Sequence, residues 1–264
     1  MHLLGFLAAI LIGVSLGLIG GGGSILTVPV LVYIFGIDPL LATTYSLLIV
    51  GISSSFGVIA YFRQGLINTT AIGLFGLPSV VSIFITRKFI LPQIPDTLFQ
   101  WGQFTLTKEL LIMVLFSVLM IAASYSMIKS ESKSKPIIRI KESRFVIGVE
   151  GALVGFLTGL VGVGGGFLII PALVMLGKIP VKEAIGTSLA IIVINSIIGF
   201  LSSLGHHSMD WTLLLSVSAF AVLGIFLGTF LSKKLNGQQL KPAFGWFVLI
   251  MGIYILIRET VLQA

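Results

Sequence analysis

A run of five small residues, Gly20-Gly21-Gly22-Gly23-Ser24, interrupts apolar sequence, and a matching run, Gly162-Val163-Gly164-Gly165-Gly166, interrupts it again. Glycine has no side chain to keep a ligand away from the main chain. Where such a run leads into a helix, the first N–H groups lack internal acceptors and face the positive end of the helix dipole. That arrangement holds anions. Adding 142 to each number carries Gly17-Leu18-Ile19-Gly20 and Pro29 onto Gly159-Leu160-Val161-Gly162 and Pro171. A helix is therefore broken at two equivalent places. Close helix packing is the competing explanation, but a packing face needs small residues only at i and i+4, and four consecutive glycines exceed that.

The surroundings of the two runs are those of a membrane protein. Of 264 residues, 56% are hydrophobic and only 9% charged, and most of the chain falls into apolar stretches long enough to cross a bilayer. Membrane segments are expected at 3–19, 22–36, 41–62, 70–88 and 109–128, then at 145–160, 164–177, 184–205, 211–232 and 242–259. The first stretch has neither a basic leader nor a small-residue cleavage site and runs straight into the glycines, so it is read as structure. The fold class is an all-α polytopic membrane protein. The chain contains no cysteine, which excludes disulfides, thiolate metal sites and cysteine nucleophiles. Its net charge of +7 sits mostly between the apolar segments, so it reads as membrane orientation and not as a nucleic-acid surface.

The 142-residue offset extends past the glycines, to Ala42 and Ala184, Ser46-Leu47 and Ser188-Leu189, Ser54 and Ser196, Gly57 and Gly199, and Asn68 and Asp210. The chain reads as a first transmembrane repeat over 1–128, a basic linker over 129–144 and a second repeat over 145–264. Loop charge selects the relation between the repeats. If each glycine break is a hairpin or a pair of short crossings, one side collects Arg63, Lys129, Lys133, Lys135, Arg139, Lys141, Arg144, Lys178, Lys182, Lys233, Lys234 and Lys241. The other side keeps Arg87, Lys88, Lys108 and Arg258. A single crossing through each break divides the same charges evenly. Only the uneven division obeys the positive-inside rule. The repeats are therefore expected to be inverted, with the linker cytoplasmic and both termini outside, and with short helices or re-entrant hairpins at the start of each.

Inverted repeats bring discontinuous helices together near the midplane, where transporters bind their substrates. Candidate ligands are the backbone of Gly20, Gly21, Gly22, Gly23 and Ser24 and of Gly162, Gly164, Gly165 and Gly166. Hydroxyl and amide side chains in the segments that follow add Thr44, Ser46, Ser188 and Asn195, which donate to an oxyanion without adding fixed charge. Among the acidic residues Glu150 alone lies well inside an apolar run. It is either an interfacial side chain near the linker's bases or a proton carrier. His2 and the pair His206-His207 have no intramembrane carboxylate pair or His-x-x-x-His spacing beside them, so neither an enzyme nor a metal site is expected, and no cofactor. The partners expected are a small anion and the bilayer, with the protein a monomer or homodimer.

The doubled glycine pattern, Gly159-Leu160-Val161-Gly162-Val163-Gly164-Gly165-Gly166 with Pro171, is followed by Ala184-Ile185-Gly186-Thr187-Ser188-Leu189. It resembles the TauE/SafE sulfite exporter family of membrane permeases over nearly the whole chain, including the closing Phe244-Gly245 and Gly252-Ile253-Tyr254. The resemblance implies outward movement of sulfite, sulfonates such as sulfoacetate, or related sulfur-containing anions across the bacterial cytoplasmic (inner) membrane. The alternative is a permease of the same fold for another small carboxylate or inorganic anion, with or without proton coupling. The first copy departs from the pattern, with Gly21 and Ser24 in place of Val163 and Gly166, and Tyr45 stands where the second has Thr187.

Cysteines placed at Ser132 and His206 in this cysteine-free chain should differ in labelling by an impermeant maleimide added outside, with only the His206 position reacting. Equal labelling would contradict the inverted arrangement.

Overall fold

The computed structural model describes residues 2–101, 104–128, 144–175, 179–205, 209–232 and 237–261. Helix α1 runs His2–Ile19, a 3-10 segment Gly20–Leu26 follows, and α2 is Thr27–Tyr33. Then come α3 (Pro39–Phe62), α4 (Thr69–Gln93, with π-helical turns at Ile72–Gly76 and Thr86–Ile90) and α5 (Lys108–Ile128). The second half holds α6 (Arg144–Val161), α7 (Gly166–Met175), α8 (Val181–Ser203), α9 (Trp211–Ser232) and α10 (Gly237–Val261). A short antiparallel hairpin, β1 (Thr97–Trp101) with β2 (Phe104–Thr107), joins α4 to α5 and is an addition to the all-helical expectation. The linker calls at 129–143 and the pair His206-His207 lie outside the described residues.

Among the described residues seven helices are long and apolar enough to cross a membrane. Their outward faces carry Leu77, Val81, Leu153, Phe226, Phe230, Trp246 and Ile250, all largely exposed, while Thr43, Ser46, Ser54, Ser79, Asn195 and Ser196 are buried. Apolar outside and polar inside is the distribution that lipid imposes. The protein is a multi-pass membrane protein.

Each glycine break turns the chain back. A Cβ placed on Gly23 would strike Ser15 and Leu16, and Phe35 returns to pack on Gly5 and Phe6, with the two phenyl centroids 6.1 Å apart. The returning arm Gly23–Tyr33 is only about 16 Å long at 1.5 Å per residue, half of what a crossing needs. In the second half Gly165 packs on Thr158 in the same manner.

The two halves embrace crosswise. Helix α1 runs parallel to α9, with Gly13 against Ala221 and Gly17 against Gly228; α6 runs parallel to α4, with Gly151 against Phe75 and Gly155 against Ser79. The third helices pack antiparallel: Leu47 meets Gly199, Ser196 meets Gly51, and Tyr61 meets Gly186. The fifth do so too, with Gly245 at Met127 and Gly252 at Met120. A small residue every fourth position lets backbones approach closely in lipid, where no hydrophobic force draws helices together.

The equivalence of Asn68 and Asp210 acquires a reason here. Each caps the fourth helix of its own half, accepting from Ala71 N–H at 2.9 Å and from Leu213 N–H at 3.0 Å. Each also donates its own N–H to the other half's third helix, Asn68 to Thr187 Oγ1 at 2.9 Å and Asp210 to the Tyr45 hydroxyl at 2.5 Å. Tyr45 and Thr187 differ in type and perform the same task.

The glycine contacts predict a clean contrast. In Gly155→Ala the new methyl runs into the Ser79 carbonyl, whereas at Gly73 it would meet nothing within 4 Å. Overpacking of this kind costs about 1–3 kcal/mol, so Gly155→Ala should lower the thermal midpoint in detergent and Gly73→Ala should leave it near wild type.

Candidate functional site

The two breaks touch. Gly21 and Gly166 lie Cα to Cα with no room for a methyl on either, and Ile192 Cδ1 would sit 2.5 Å from a Cβ on both. Ile192 is at the middle of α8, so the contact lies at the centre of the bundle. Packing thus accounts for Gly21 and Gly166, but not for the chemistry beside them.

At the second break Gly162, Gly164 and Gly165 take φ of +77°, +67° and +77°, a region that side chains avoid. Gly162 N–H donates to Thr158 O at 2.7 Å and the Gly165 carbonyl accepts from Leu168 and Ile169 N–H, both at 2.9 Å. Among the described residues no backbone carbonyl accepts from the N–H groups of Val163 through Phe167. These amides open the N-terminus of α7. The first break differs, because Gly20–Leu26 coils as a 3-10 helix, which spends its amides on its own i→i+3 bonds, and Ser24 Oγ donates to Gly21 O at 2.7 Å.

Side chains deepen the difference. Beside Gly162 stand Thr43 and the guanidinium of Arg87, whose Nη2 would lie 2.5 Å from a Cβ on Gly162. Arg87 is 2% exposed. Its Nη1 donates to Thr44 Oγ1 at 3.3 Å, while Nε and Nη2 find no hydrogen-bond partner among the described residues. Around the same break the hydroxyls of Thr158, beside Gly165, and Ser196, 2.7 Å from a Cβ on Gly164, are buried and likewise unpartnered. Ser46 and Ser54, also buried without partners, share a face of α3 with Thr43 and Val50, the residues that touch Gly162 and Gly164.

The remaining sequence candidates divide. Thr44 stands against Arg87, and Asn195 is held by donation to Ser79 Oγ at 2.8 Å with its Oδ1 unpartnered. The hydroxyl of Ser188 is spent on Ile185 O at 2.8 Å. Glu150 lies half-buried on α6. The expectation that Glu150 is the one carboxylate inside the apolar segments needs amending. Glu259 on α10 is 4% exposed and accepts from the Tyr33 hydroxyl at 2.8 Å, with Arg258 over the Tyr33 ring at 4.3 Å.

Sequence reasoning missed Arg87 by ending the fourth segment at residue 88 and counting it as loop charge. The helix continues to Gln93, and Phe75, Ser79, Ile83, Arg87 and Leu91 form one buried stripe at four-residue spacing. That spacing, and the apolar Phe89-Ile90-Leu91 beyond the arginine, is the signal that placed it inside. The π-helical turn at Thr86–Ile90 is the kind of irregularity that recurs at functional sites.

A family model described as "Sulfite exporter TauE/SafE" matches residues 5–255. A probable membrane transporter protein of Xylella fastidiosa is 30% identical over 252 residues, covering 94% of this chain and 92% of its own. One from Methanocaldococcus jannaschii is 26% identical over 266 residues, covering 94% and 92%. One from Bacillus subtilis is 24% identical over 253 residues, covering 95% and 98%. No solved structure matches the chain. These relatives are described as transporters, not enzymes.

A charge buried without a partner carries an uncompensated desolvation cost. Arg87→Met should therefore unfold, in anion-free detergent, at a temperature equal to or above that of the wild type. A clearly lower midpoint would mean that the guanidinium already has a compensating partner.

Proposed function

The chain belongs to the sulfite exporter TauE/SafE family, and on that premise we propose that it exports a small sulfur-containing anion, sulfite or an organosulfonate such as sulfoacetate, by alternating access. The observation that carries the reading is a guanidinium buried among membrane helices, with no hydrogen-bonded acid among the described residues, lying against Gly162 at the break whose following amides find no backbone acceptor. Each of these groups is costly in an apolar interior. All are satisfied at once by an oxyanion. A small carboxylate would satisfy the same groups and is the second reading that this geometry favours.

The transport cycle follows from the relation of the halves. The third helices, equivalent under the 142-residue offset, run antiparallel, and first helices exchange partners with fourth ones. These contacts support two inverted repeats related by an axis in the membrane plane, with the linker cytoplasmic, both termini outside and the protein in the bacterial inner membrane. Removing the buried Arg87 from the loop-charge comparison makes the division more uneven still. Rocking of one half against the other about the Gly21–Gly166 contact would then expose the second break to each side in turn.

Export needs no coupled ion. In a cell with a negative interior, moving one negative charge outward gains about 2.3 kcal/mol per 100 mV, and a dianion gains about twice that. At roughly 1.4 kcal/mol per tenfold ratio, a monoanion at 100 mV is held at about a fortyfold outside excess. We therefore read the mechanism as electrogenic uniport, with Glu150 the residue that would carry a proton if the mechanism were coupled.

Efflux of sulfite from proteoliposomes, with the potential clamped by potassium and valinomycin, tests both points. Efflux should rise with an inside-negative potential, ignore a pH gradient and be unchanged in Glu150→Gln. Efflux that ignores the potential, follows the pH gradient and loses that response in Glu150→Gln would instead make Glu150 the proton carrier.

A further inference from the structure

The duplication invites the view that both breaks bind anions, but the offset that relates them also shows where they differ. Gly162 faces Thr43, whereas Gly20 faces Ile185, the residue 142 positions on from Thr43, at 2.7 Å from a placed Cβ. Thr158, which packs on Gly165, corresponds to Leu16, which packs on Gly23. Arg87 corresponds to Thr229, whose hydroxyl is turned back onto the carbonyl of Ile225. The first break is thus apolar at two of these positions and neutral at the third, and it keeps its amides in a 3-10 helix.

From this asymmetry we infer that the protein has a single anion site, at the second break, and that Arg87 grips the anion through its Nε–Nη2 edge. The inference rests on the anion-transport reading above and narrows it. On a guanidinium the Nε–H and the Nη2–H point the same way, forming a two-pronged edge that matches two oxygens on one atom. The third nitrogen, Nη1, is the one engaged, by Thr44. The edge left over is therefore complete and buried, and its Nη2 lies against Gly162.

The recognition chemistry follows. A substrate must offer two coplanar oxygens on a single centre, as sulfite, a sulfonate or a carboxylate does, and a third oxygen or a lone pair can meet the amides of Val163 through Phe167 and the hydroxyls of Thr158 and Ser196. Chloride and thiocyanate carry the same charge without that pair of oxygens. They are excluded by geometry where a site built of charge alone would admit them. A lysine at position 87 keeps the charge and loses the fork, so it separates the two kinds of site.

Isothermal titration of the purified protein with sulfite, methanesulfonate, acetate, chloride and thiocyanate reads this directly, with the anion-free thermal midpoint recorded for every variant to show that it folds. One sulfite should bind per chain, methanesulfonate and acetate should compete, and chloride and thiocyanate should not. Arg87→Lys should weaken sulfite binding by tenfold or more and Arg87→Gln should abolish it. Ile185→Thr, at the first break, should bind as the wild type does. Two sulfites per chain, competition by chloride as strong as by methanesulfonate, or wild-type affinity in a folded Arg87→Lys would overturn the inference while leaving oxyanion transport standing. A wild-type protein that neither binds nor moves any of these oxyanions would overturn the transport reading and this inference together.

Discussion

Backbone polar groups released inside a bilayer must be covered by protein or by a ligand, because lipid offers them nothing. The architecture follows from how the two breaks in this chain meet that demand. Their glycines press together at Gly21 and Gly166, so each break shields the other, and α3 and α8 cross alongside through Val50 and Ile192. The outer helices then close around this centre on small-residue faces. Apart from the hydroxyl of Thr27 beside the first break, the unpartnered groups gather around the second, where the hydroxyls of Thr158 and Ser196 and the guanidinium of Arg87 lie against its glycines.

Duplication supplies the frame and divergence supplies the site. The reciprocal bonds of Asn68 with Thr187 and of Asp210 with Tyr45 survive in both halves because each half uses the other as a surface to fold on. No such reciprocity protects Arg87, whose counterpart Thr229 is an ordinary membrane-helix hydroxyl. A buried cation thus stands in one copy only, off the centre towards the N-terminal end of α3, beside Thr43 and Thr44.

Much of the fold was legible in the sequence. The apolar runs marked the long helices to within a few residues, and the glycine runs marked the chain reversals, because only glycine accepts positive φ at Gly162, Gly164 and Gly165. The surroundings of the candidate residues were legible in part. Thr44 and Asn195, singled out by their position after the breaks, stand against Arg87 and Ser79, but the back-bonding of Ser188 and the coiling of Gly20–Leu26 depend on local geometry that residue type does not reveal. Arg87 was hidden because a basic residue near the end of an apolar run ordinarily lies at the membrane surface, whereas this helix continues to Gln93. Its stripe with Phe75, Ser79 and Ile83 pointed the other way. Glu259 was hidden likewise, since its partner Tyr33 is 226 residues away.

The central claim is that one anion sits between Arg87 and the amides of the second break. Anomalous scattering from selenite, the selenium analogue of sulfite, would locate that anion without reference to any mutant. The account predicts one anomalous peak per chain, within hydrogen-bond distance of Arg87 Nε and Nη2 and of the N–H groups of Val163 to Phe167. A peak at Gly20 to Ser24 instead, or a bound anion that leaves the Nε–Nη2 edge without a partner, would contradict it.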